Sequence, residues 1–305
     1  MTLALGLGLG LTRRLRASVA AAAIIALFAN GEQGLWLDPS DLTTLFQDAA
    51  GTTPVTADGQ PVGLMLDKSK WGGKTLEQVL AGQPELIVNG RFDADTSWTK
   101  GTGWTITGGV AVASAVALTE FLTQPKTIIS GKSYQLTYTI VSWSGGGLSA
   151  TFDSTVVGTI RSAPGTYTEI IVAPISATTF GIRARFNPFT GSIDNVSLKE
   201  VPGNHATQAT VAKQRAYKTD GTLSWLLDDG SDDALPVTFP NLGANCTVAY
   251  ASASGVTILT GQTISGAYNL PVTGGNLYGC IIIDRALTPI KTQKLTAYLK
   301  KKAGL

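Results

Sequence analysis

The chain has 305 residues, of which 44% are hydrophobic and 14% charged, and its formal net charge is +2. This near-balance of charge excludes a protein built to bind a polyanion, so no nucleic-acid partner is expected. The single histidine excludes metal sites with several histidine ligands, and 35 glycines indicate many tight turns, which favours an all-β protein. Cys246 and Cys280 lie in apolar, strand-like runs, which predicts buried free thiols rather than a disulfide.

Residues 1–31 are predicted to form an arm. Residues 1–11 alternate Leu with Gly or Ala, the period-two pattern of an extended edge strand, but they are too rich in Gly to be stable without a partner. A basic segment then precedes a helix-prone apolar run over residues 17–29, which is too short for a stable membrane span. Two interpretations fit this run: a cleaved signal peptide, or an assembly arm buried among copies of the chain. The side chains expected to make assembly contacts are Leu15, Val19, Ile24, Leu27 and Phe28.

A short apolar strand around Trp36 follows the arm. Ser40 or Asp41 is placed to cap one turn of helix after it, because a short polar side chain there accepts from open backbone amides. Glycosidases need two carboxylates that flank the scissile bond, and Asp38, Asp41 and Asp48 are candidates for such a pair. Capping and turn roles account for all three aspartates, so the chain is not expected to be an enzyme.

The central stretch, residues 84–201, has the pattern of an antiparallel sandwich. Runs such as Ser133–Val141 and Tyr167–Val172 alternate at period two and are separated by Gly, Pro and Ser turns. Within it, aromatic rings that stack on the C–H faces of sugars, with polar side chains at the rim, are candidates for glycan contacts. The candidate ligand-binding residues are Trp98, Tyr138, Trp143, Arg183 and Asn187.

Three motifs in this stretch carry a resemblance. The segments Asn89–Phe92, Ser130–Tyr134 and Ile193–Leu198 resemble those of a carbohydrate-binding module of the galactose-binding-like, jelly-roll type. The resemblance implies a structural calcium ion held by oxygen atoms of the first and last strands, with Asn89 and Asp194 at the matching positions. A turn formed by Asp194 and its neighbour is the alternative.

The flanking segments carry a second resemblance. Gly34–Asp41, Leu45–Gly63 and Leu66–Ser69 resemble the opening of concanavalin-A-like domains that are common in structural proteins of tailed phages. In those domains Asp-Lys-Ser is soon followed by Gly-Asn-His-Ala-Thr-Gln-Ala, which here appears only at Gly203–Ala209. The resemblance therefore implies a discontinuous sandwich, residues 32–83 plus 202–305, with a second jelly roll inserted over residues 84–201.

The returning segment is predicted to supply the closing strands of the first sandwich. His205 is expected to hydrogen-bond a loop, and the acidic cluster at residues 228–233 is expected to be a hairpin turn with weak cation binding as the alternative. A C-terminal helix is predicted with Thr288 as its N-cap and Pro289 in its first turn. Leu295, Tyr298 and Leu299 would form its apolar face, and Lys300, Lys301 and Lys302 a solvated cap.

Together the two resemblances imply a phage or prophage virion structural protein of the tail fibre or tail tip. It would associate with copies of itself, a trimer being favoured, and with other tail or virion proteins, and its inserted module would contact glycan on the host surface. The assembly arm is preferred to a signal peptide because phage proteins of this type run a Gly/Leu-rich start directly into the strand that holds Trp36. The alternatives are a purely structural decoration protein without glycan binding and a secreted carbohydrate-binding protein.

Overall fold

The computed structural model describes residues 21–271 and 274–305. The chain folds as two compact units, and strands dominate both, as predicted. Unit 1 contains the described residues up to Asp48, Thr53–Leu76, and the described part of Gly203–Leu305, whereas unit 2 contains Ala49–Thr52 and Glu77–Pro202. Unit 2 thus interrupts unit 1, and its main segment begins seven residues before the predicted boundary at residue 84.

Unit 1 is built from nine strands among its described residues, numbered along the chain. They are β1 (Gly34–Leu37), β2 (Leu45–Phe46), β3 (Leu64–Met65), β12 (Ala206–Thr207), β13 (Ala216–Thr219), β14 (Ser224–Asp228), β15 (Pro236–Ser252), β16 (Gly255–Asn269) and β17 (Gly275–Ile283). The order across the sheet is β13-β14-β17-β15-β12-β3-β2, with β1 paired to β17 and β16 to β15. All pairings are antiparallel. Single 3-10 turns lie at Leu42–Thr44 and Val211–Lys213.

The central strands of unit 1 bury both faces. On β1, Leu35 and Leu37 belong to the sandwich interior, whereas Trp36 points to the opposite side and joins a second apolar cluster. Period-two alternation explains this division, because successive side chains of a strand lie on opposite faces. The second cluster is covered by the C-terminal helix, Pro289–Lys302, through Leu295 and Leu299. The predicted N-cap is confirmed, since the Thr288 side chain accepts a hydrogen bond from Lys291 N. The predicted apolar face is confirmed too, since Leu295, Tyr298 and Leu299 are buried.

The described part of the arm corrects one prediction. Ile24, Leu27 and Phe28 are only 0%, 2% and 8% exposed, because they pack against Tyr298, Trp36 and their neighbours in the second cluster of unit 1. They therefore complete this chain's own core instead of leaving an apolar face for a partner. Leu15 and Val19 lie outside the described residues. Cleavage after residue 29, as a signal peptide requires, would remove three side chains from the core.

Asp67 joins the two sequence segments of unit 1 that flank the insertion. Its fully buried carboxylate accepts hydrogen bonds from Trp36 N at 2.7 Å, from Asn204 N at 2.8 Å and from both the N–H and the hydroxyl of Ser69. His205 Nδ1 accepts from Asp67 N at 2.9 Å, which confirms that the histidine serves a loop. In the domains that unit 1 resembles, the residues matching Asp67 and His205 are close in sequence. Here they are 138 residues apart, and the fold brings them into contact.

Two further predictions for unit 1 concern buried groups. Cys246 and Cys280 are both free and buried, which confirms the expectation of unpaired thiols. The hairpin after β14 is shaped by Asp228, whose Oδ1 accepts from Gly230 N at 2.9 Å, and Gly230 has φ +81°. Asp228 is itself buried and paired with Arg215 at 2.9 Å. The acidic cluster therefore begins with a structural ion pair.

Unit 2 contains eight strands and the helix Leu76–Ala81 leads into it. The strands are β4 (Thr99–Lys100), β5 (Trp104–Thr107), β6 (Val110–Val116), β7 (Phe121–Ile128), β8 (Ser133–Phe152), β9 (Thr155–Val156), β10 (Gly165–Val172) and β11 (Ala177–Val201). Two of them, β8 and β11, are long enough to serve both layers of the sandwich. The first half of β8 pairs with β10 and with the last half of β11, and its second half pairs with the first half of β11 and with β9.

Bends in these long strands coincide with irregular pairing. The register between β8 and β11 shifts between Arg185 and Thr190, and extra residues at such bulges bend the strand and increase its twist. The side chains between the layers form one core that includes Leu136, Ile140, Phe152, Phe180 and Ile182. Both layers therefore rest on a single buried cluster.

The first and last segments of unit 2 are joined to each other. Leu86 N donates to Leu198 O at 3.0 Å, and the Glu85 carboxylate accepts from Leu198 N at 2.9 Å and from the Ser197 hydroxyl at 2.6 Å. Lys199 Nζ also donates to Leu80 O at 3.2 Å. We refer to these contacts as the terminal clamp. Among the described residues of either unit, no helix is long and apolar enough to cross a membrane.

Candidate functional site

Trp98, one of the predicted glycan contacts, is a core residue. Its side chain is 7% exposed and packs against Phe92 and Phe180, with ring centroids 5.4 and 6.3 Å away, and its Nε1–H donates to Asn89 O at 3.0 Å. A ring whose faces and polar atom are all engaged has no surface for a sugar. The prediction of a ligand role for Trp98 was wrong because residues distant in sequence cover the ring.

Tyr138 is buried too, at 1% exposure, with its ring 5.9 Å from that of Tyr167. Burial, followed by the nearby Glu169 carboxylate, raises the pKa of the Tyr138 hydroxyl well above its usual range, so the group stays neutral. The predicted ligand role of Tyr138 is likewise wrong. The strand pattern contained a signal, because Tyr138 is in phase with the buried Leu136 and Ile140, and period-two side chains share a face.

Trp143 is exposed and follows an irregularity of β8, whose pairing with β11 shifts between Ile140 and Ser142. Its side chain is 41% exposed, and that of Val141, two residues earlier in the strand, is 50% exposed. The indole Nε1–H donates to Gly146 O at 2.7 Å, within the bend that the strand makes at residues 143–147. The hydrogen bond fixes the orientation of the ring and leaves much of its surface open to solvent.

A second exposed aromatic side chain, which the sequence analysis missed, stands on the neighbouring bend of β11. Phe186 is 72% exposed and has φ +64°, a left-handed conformation that costs a bulky residue roughly 1–2 kcal/mol. Asn187 beside it is exposed, as its predicted ligand role requires. Nothing in the local sequence indicates a left-handed phenylalanine, so only the structure reveals this residue.

The two bends lie against each other. Gly145 pairs with Thr190, and a Cβ at Gly146 would come within 2.6 Å of Asn187 O, so only glycine allows the backbones to approach this closely. Beneath them Phe189 is fully buried and stacks on Trp104, with ring centroids 6.4 Å apart. We name the exposed side chains that the two bends carry the bend patch: Val141, Trp143, Phe186 and Asn187.

Threonine hydroxyls form an exposed row on β8 and β10. On β8 and β10 the Thr137 and Thr168 hydroxyls lie 3.0 Å apart, and those of Thr139 and Thr166 lie 2.9 Å apart. Each hydroxyl can both donate and accept hydrogen bonds, so this row offers polar contacts to a ligand. The combination matches the needs of a ligand with C–H faces and hydroxyl rims.

Arg183 does not join the patch. Its side chain stacks over Phe121, with the guanidinium carbon 5.0 Å from the ring centroid, and its Nε–H donates to Leu118 O at 2.6 Å. These contacts hold the arginine against the strand connection at residues 117–120. The predicted ligand role of Arg183 is not supported by this placement, since its guanidinium is engaged away from the two bends.

The residues proposed for calcium are engaged in local turns. Asn89 Nδ2 donates to Ala94 O at 2.6 Å and to Thr96 O at 2.9 Å, and the Asp194 carboxylate accepts from the backbone N–H and side chain of Asn195. Across residues 21–271 and 274–305, no group of three or more His, Cys, Asp or Glu side chains is placed to hold a metal ion. Structural calcium at Asn89 and Asp194 stays a prediction.

The sequence matches no protein-family model and no curated protein sequence. Among solved structures, the chain is similar to the N-terminal tandem of two CBM22 domains of Xyn10C from Paenibacillus barcinonensis, at 9% identity and a TM-score of 0.31, over 69% of this chain and 94% of that one. It is also similar to the GH2 β-galacturonidase of Eisenbergiella tayi, at 10% identity and a TM-score of 0.21, over 59% of this chain and 35% of that one. A Paenibacillus xanthan lyase matches at 12% identity and a TM-score of 0.20, over 68% of this chain and 25% of that one. Similarity at this level shows no activity for this chain.

Proposed function

We propose that unit 2 binds glycan through the bend patch. The observation that carries the proposal is that Trp143 and Phe186, two large aromatic side chains, are 41% and 72% exposed on adjoining bends. Exposing apolar rings to water is unfavourable, and the left-handed backbone of Phe186 adds strain. A ligand that covers the rings would explain why the protein keeps both the exposed rings and the strain.

The geometry suits a carbohydrate better than an apolar partner. Sugar C–H faces stack on the rings, while Asn187 and the threonine row on β8 and β10 offer hydrogen bonds to hydroxyls. No lysine or arginine is part of the bend patch, so binding of neutral glycan is expected and should depend little on salt.

Binding should be measured on the full-length chain with a glycan array followed by titration calorimetry of the best ligand. Trp143→Ala and Phe186→Ala are each expected to weaken binding about five- to tenfold, since stacking on one ring contributes roughly 1–1.5 kcal/mol. Ile129→Ala is the matched control, because Ile129 is 48% exposed in unit 2 and lies outside the patch. Equal losses in all three variants, or no binding by the unaltered chain, would reject the proposal.

We further propose that the chain is a virion structural protein of the phage tail or adsorption apparatus, not an enzyme. The motif resemblance of unit 1 to concanavalin-A-like phage domains supports this role, and burial of Ile24, Leu27 and Phe28 in unit 1 favours an uncleaved N-terminus over the secreted alternative. Two measurements test it: mass spectrometry of purified phage particles for the intact chain, and light scattering for the expected trimer. Absence from the particles would refute the assignment.

A further inference from the structure

A cavity of about 620 Å³ lies within unit 1, beside the C-terminal helix. Its size is in the range of sites that enclose small organic ligands. The residues that form its walls all belong to unit 1, so the cavity is distinct from the bend patch. The wall residues used below are Ile25, Ser40, Asp41, Lys74, Thr75, Leu223 and Lys301.

The charges around this cavity do not balance. Among the described residues, four lysines and two aspartates line it, which leaves two positive charges. Lys302 Nζ is paired with Asp38 Oδ1 at 2.6 Å, and Lys68 Nζ with Asp41 Oδ2 at 2.5 Å. The other two lysines, Lys74 and Lys301, form no ion pair with any described residue, and both are exposed at the mouth.

The rest of the lining is hydroxylic on one side and apolar on another. Ser40 and Thr75 contribute hydroxyl groups, and the carboxylate of Asp41 keeps 28% of its surface exposed although it is paired. Ile25 and Leu223 form an apolar wall and are themselves only partly buried. The cavity therefore presents cations, hydrogen-bond acceptors and an apolar surface in one partly enclosed space.

We propose that this cavity binds a hexose-sized sugar that carries a carboxylate or a phosphate group. The anionic group would pair with Lys74 and Lys301, because ammonium groups form strong charge-assisted hydrogen bonds to carboxylate and phosphate oxygens. The sugar hydroxyls donate to Asp41, whose carboxylate oxygens only accept, and the C–H face lies on the apolar wall. Inorganic phosphate satisfies the lysines alone, and a neutral hexose satisfies only the acceptors.

Titration calorimetry of the full-length chain tests the proposal with four probes at low and at 0.5 M salt. Glucuronate and glucose 6-phosphate separate the carboxylate from the phosphate, while glucose and inorganic phosphate each lack one half of the recognition. At least one acidic sugar is expected to bind at least about tenfold tighter than glucose and inorganic phosphate, and to weaken at high salt. Binding of glucose as tightly as the acidic sugars, or no binding of either acidic sugar at 10 mM, would overturn it.

Charge-removing variants then locate the site. Lys74→Gln and Lys301→Gln are each expected to weaken binding of the acidic sugar about fivefold or more, since each removes one charge from a partly enclosed space. Lys300→Gln is the matched control, because Lys300 is an exposed neighbour on the same helix and does not line the cavity. An equal loss in the control would mean general attraction by the basic helix end and would refute the site. Trp143→Ala should leave this binding unchanged, which separates it from binding at unit 2.

Discussion

At the residue scale, Phe186 combines a left-handed backbone, at φ +64°, with a ring that is 72% exposed. Asparagine tolerates this conformation better than phenylalanine, because its short side chain hydrogen-bonds locally. We expect Phe186→Asn to raise the free energy of unfolding of unit 2 by roughly 0.5–1 kcal/mol while it removes glycan binding. Urea denaturation with calorimetry of binding measures both.

The control for this variant is Ile129→Asn, which exchanges an exposed apolar residue of the same unit without a left-handed backbone. It should change stability by no more than about 0.5 kcal/mol and leave binding intact. If Phe186→Asn instead lowered stability by more than about 1 kcal/mol, the ring would be a packing residue and the strain argument would fail.

Asp67 holds together the two segments of unit 1 that flank the insertion, through hydrogen bonds from Trp36 N and Asn204 N. In an Asp67→Asn variant the new NH₂ group would face N–H and O–H donors that now point at a carboxylate. The unmet donors should cost about 2–3 kcal/mol of unfolding free energy at pH 7. Thermal and urea unfolding test this, with the exposed Asp232→Asn as the control, for which a change within about 0.5 kcal/mol is expected.

The same carboxylate makes stability depend on pH. Burial raises the pKa of Asp67 to about 6 in spite of the hydrogen bonds from Asn204, Ser69 and Trp36. Between about pH 4 and pH 6 the folded protein therefore holds a proton that the unfolded chain has released, so this contribution is complete below pH 4 and is lost as the pH rises through 6. Asp67→Asn should remove that fall in stability, and an unchanged profile would contradict the assignment.

At the scale of elements, the C-terminal helix is attached at its last turn as well as along its apolar face. Lys302 was predicted to be a solvated cap, but its Nζ contacts both Asp38 oxygens, at 2.6 and 2.7 Å, and the Ser40 hydroxyl at 2.6 Å. Local sequence shows only a lysine near the negative end of the helix dipole, which predicts a solvated side chain. Its partner Asp38 lies 264 residues away in sequence. Long-range pairing of this kind cannot be derived from local sequence.

Lys302→Gln should therefore destabilise unit 1 by roughly 1–3 kcal/mol at pH 7, because it leaves the buried Asp38 carboxylate with the more distant Lys68. Burial would raise the pKa of Asp38, but Lys302 and Lys68 outweigh it and hold the pKa below its ordinary value. The stabilisation is thus complete above about pH 4 and is lost as the pH falls through the folded-state pKa. The variant should lose this acid sensitivity, whereas Lys300→Gln should keep it; both are followed by circular dichroism.

The segment that precedes β1 is the second element whose role the structure revises. Deletion of residues 1–28 removes Ile24, Leu27 and Phe28 from the core and should cost unit 1 at least about 3 kcal/mol. Deletion of residues 1–20 leaves that cluster intact and should change unfolding far less. Equal stability of the two truncations in urea would show that the packing of residues 21–28 contributes nothing.

What the sequence predicted and what it missed follow the range of the interactions. The strand runs, the helix capped by Thr288 and the buried thiols rest on local patterns, and these expectations were confirmed. Trp98 was placed by its turn-rich neighbours, but Phe180, from a strand 82 residues away, covers it. Periodicity defines the two faces of a strand without showing which one the rest of the chain buries.

At the scale of the whole molecule, unit 2 has its own apolar core and its own terminal clamp. We expect the excised segment, residues 77–202, to fold with a single cooperative urea transition and to keep the glycan affinity of the full chain. It contains every residue of the apolar core of unit 2, and the omitted part of the unit, Ala49–Thr52, contributes none. Circular dichroism and calorimetry provide the readouts. A segment that shows no cooperative transition would mean that unit 2 depends on unit 1 for its fold.

The terminal clamp also has a mechanical consequence. Tension applied across unit 1 from both sides of the insertion acts on unit 1 first, because the main segment of unit 2, Glu77–Pro202, lies between segments of unit 1. As long as unit 1 stays folded, its own hydrogen bonds carry the load and the inserted sandwich feels none. When unit 1 unfolds, the tension reaches unit 2 at Leu86 and Leu198. The single backbone hydrogen bond between these two residues must break before the longer hydrogen-bond ladders of β8 and β11 are strained. The unit that carries the bend patch is thus shielded from force by the position of its insertion.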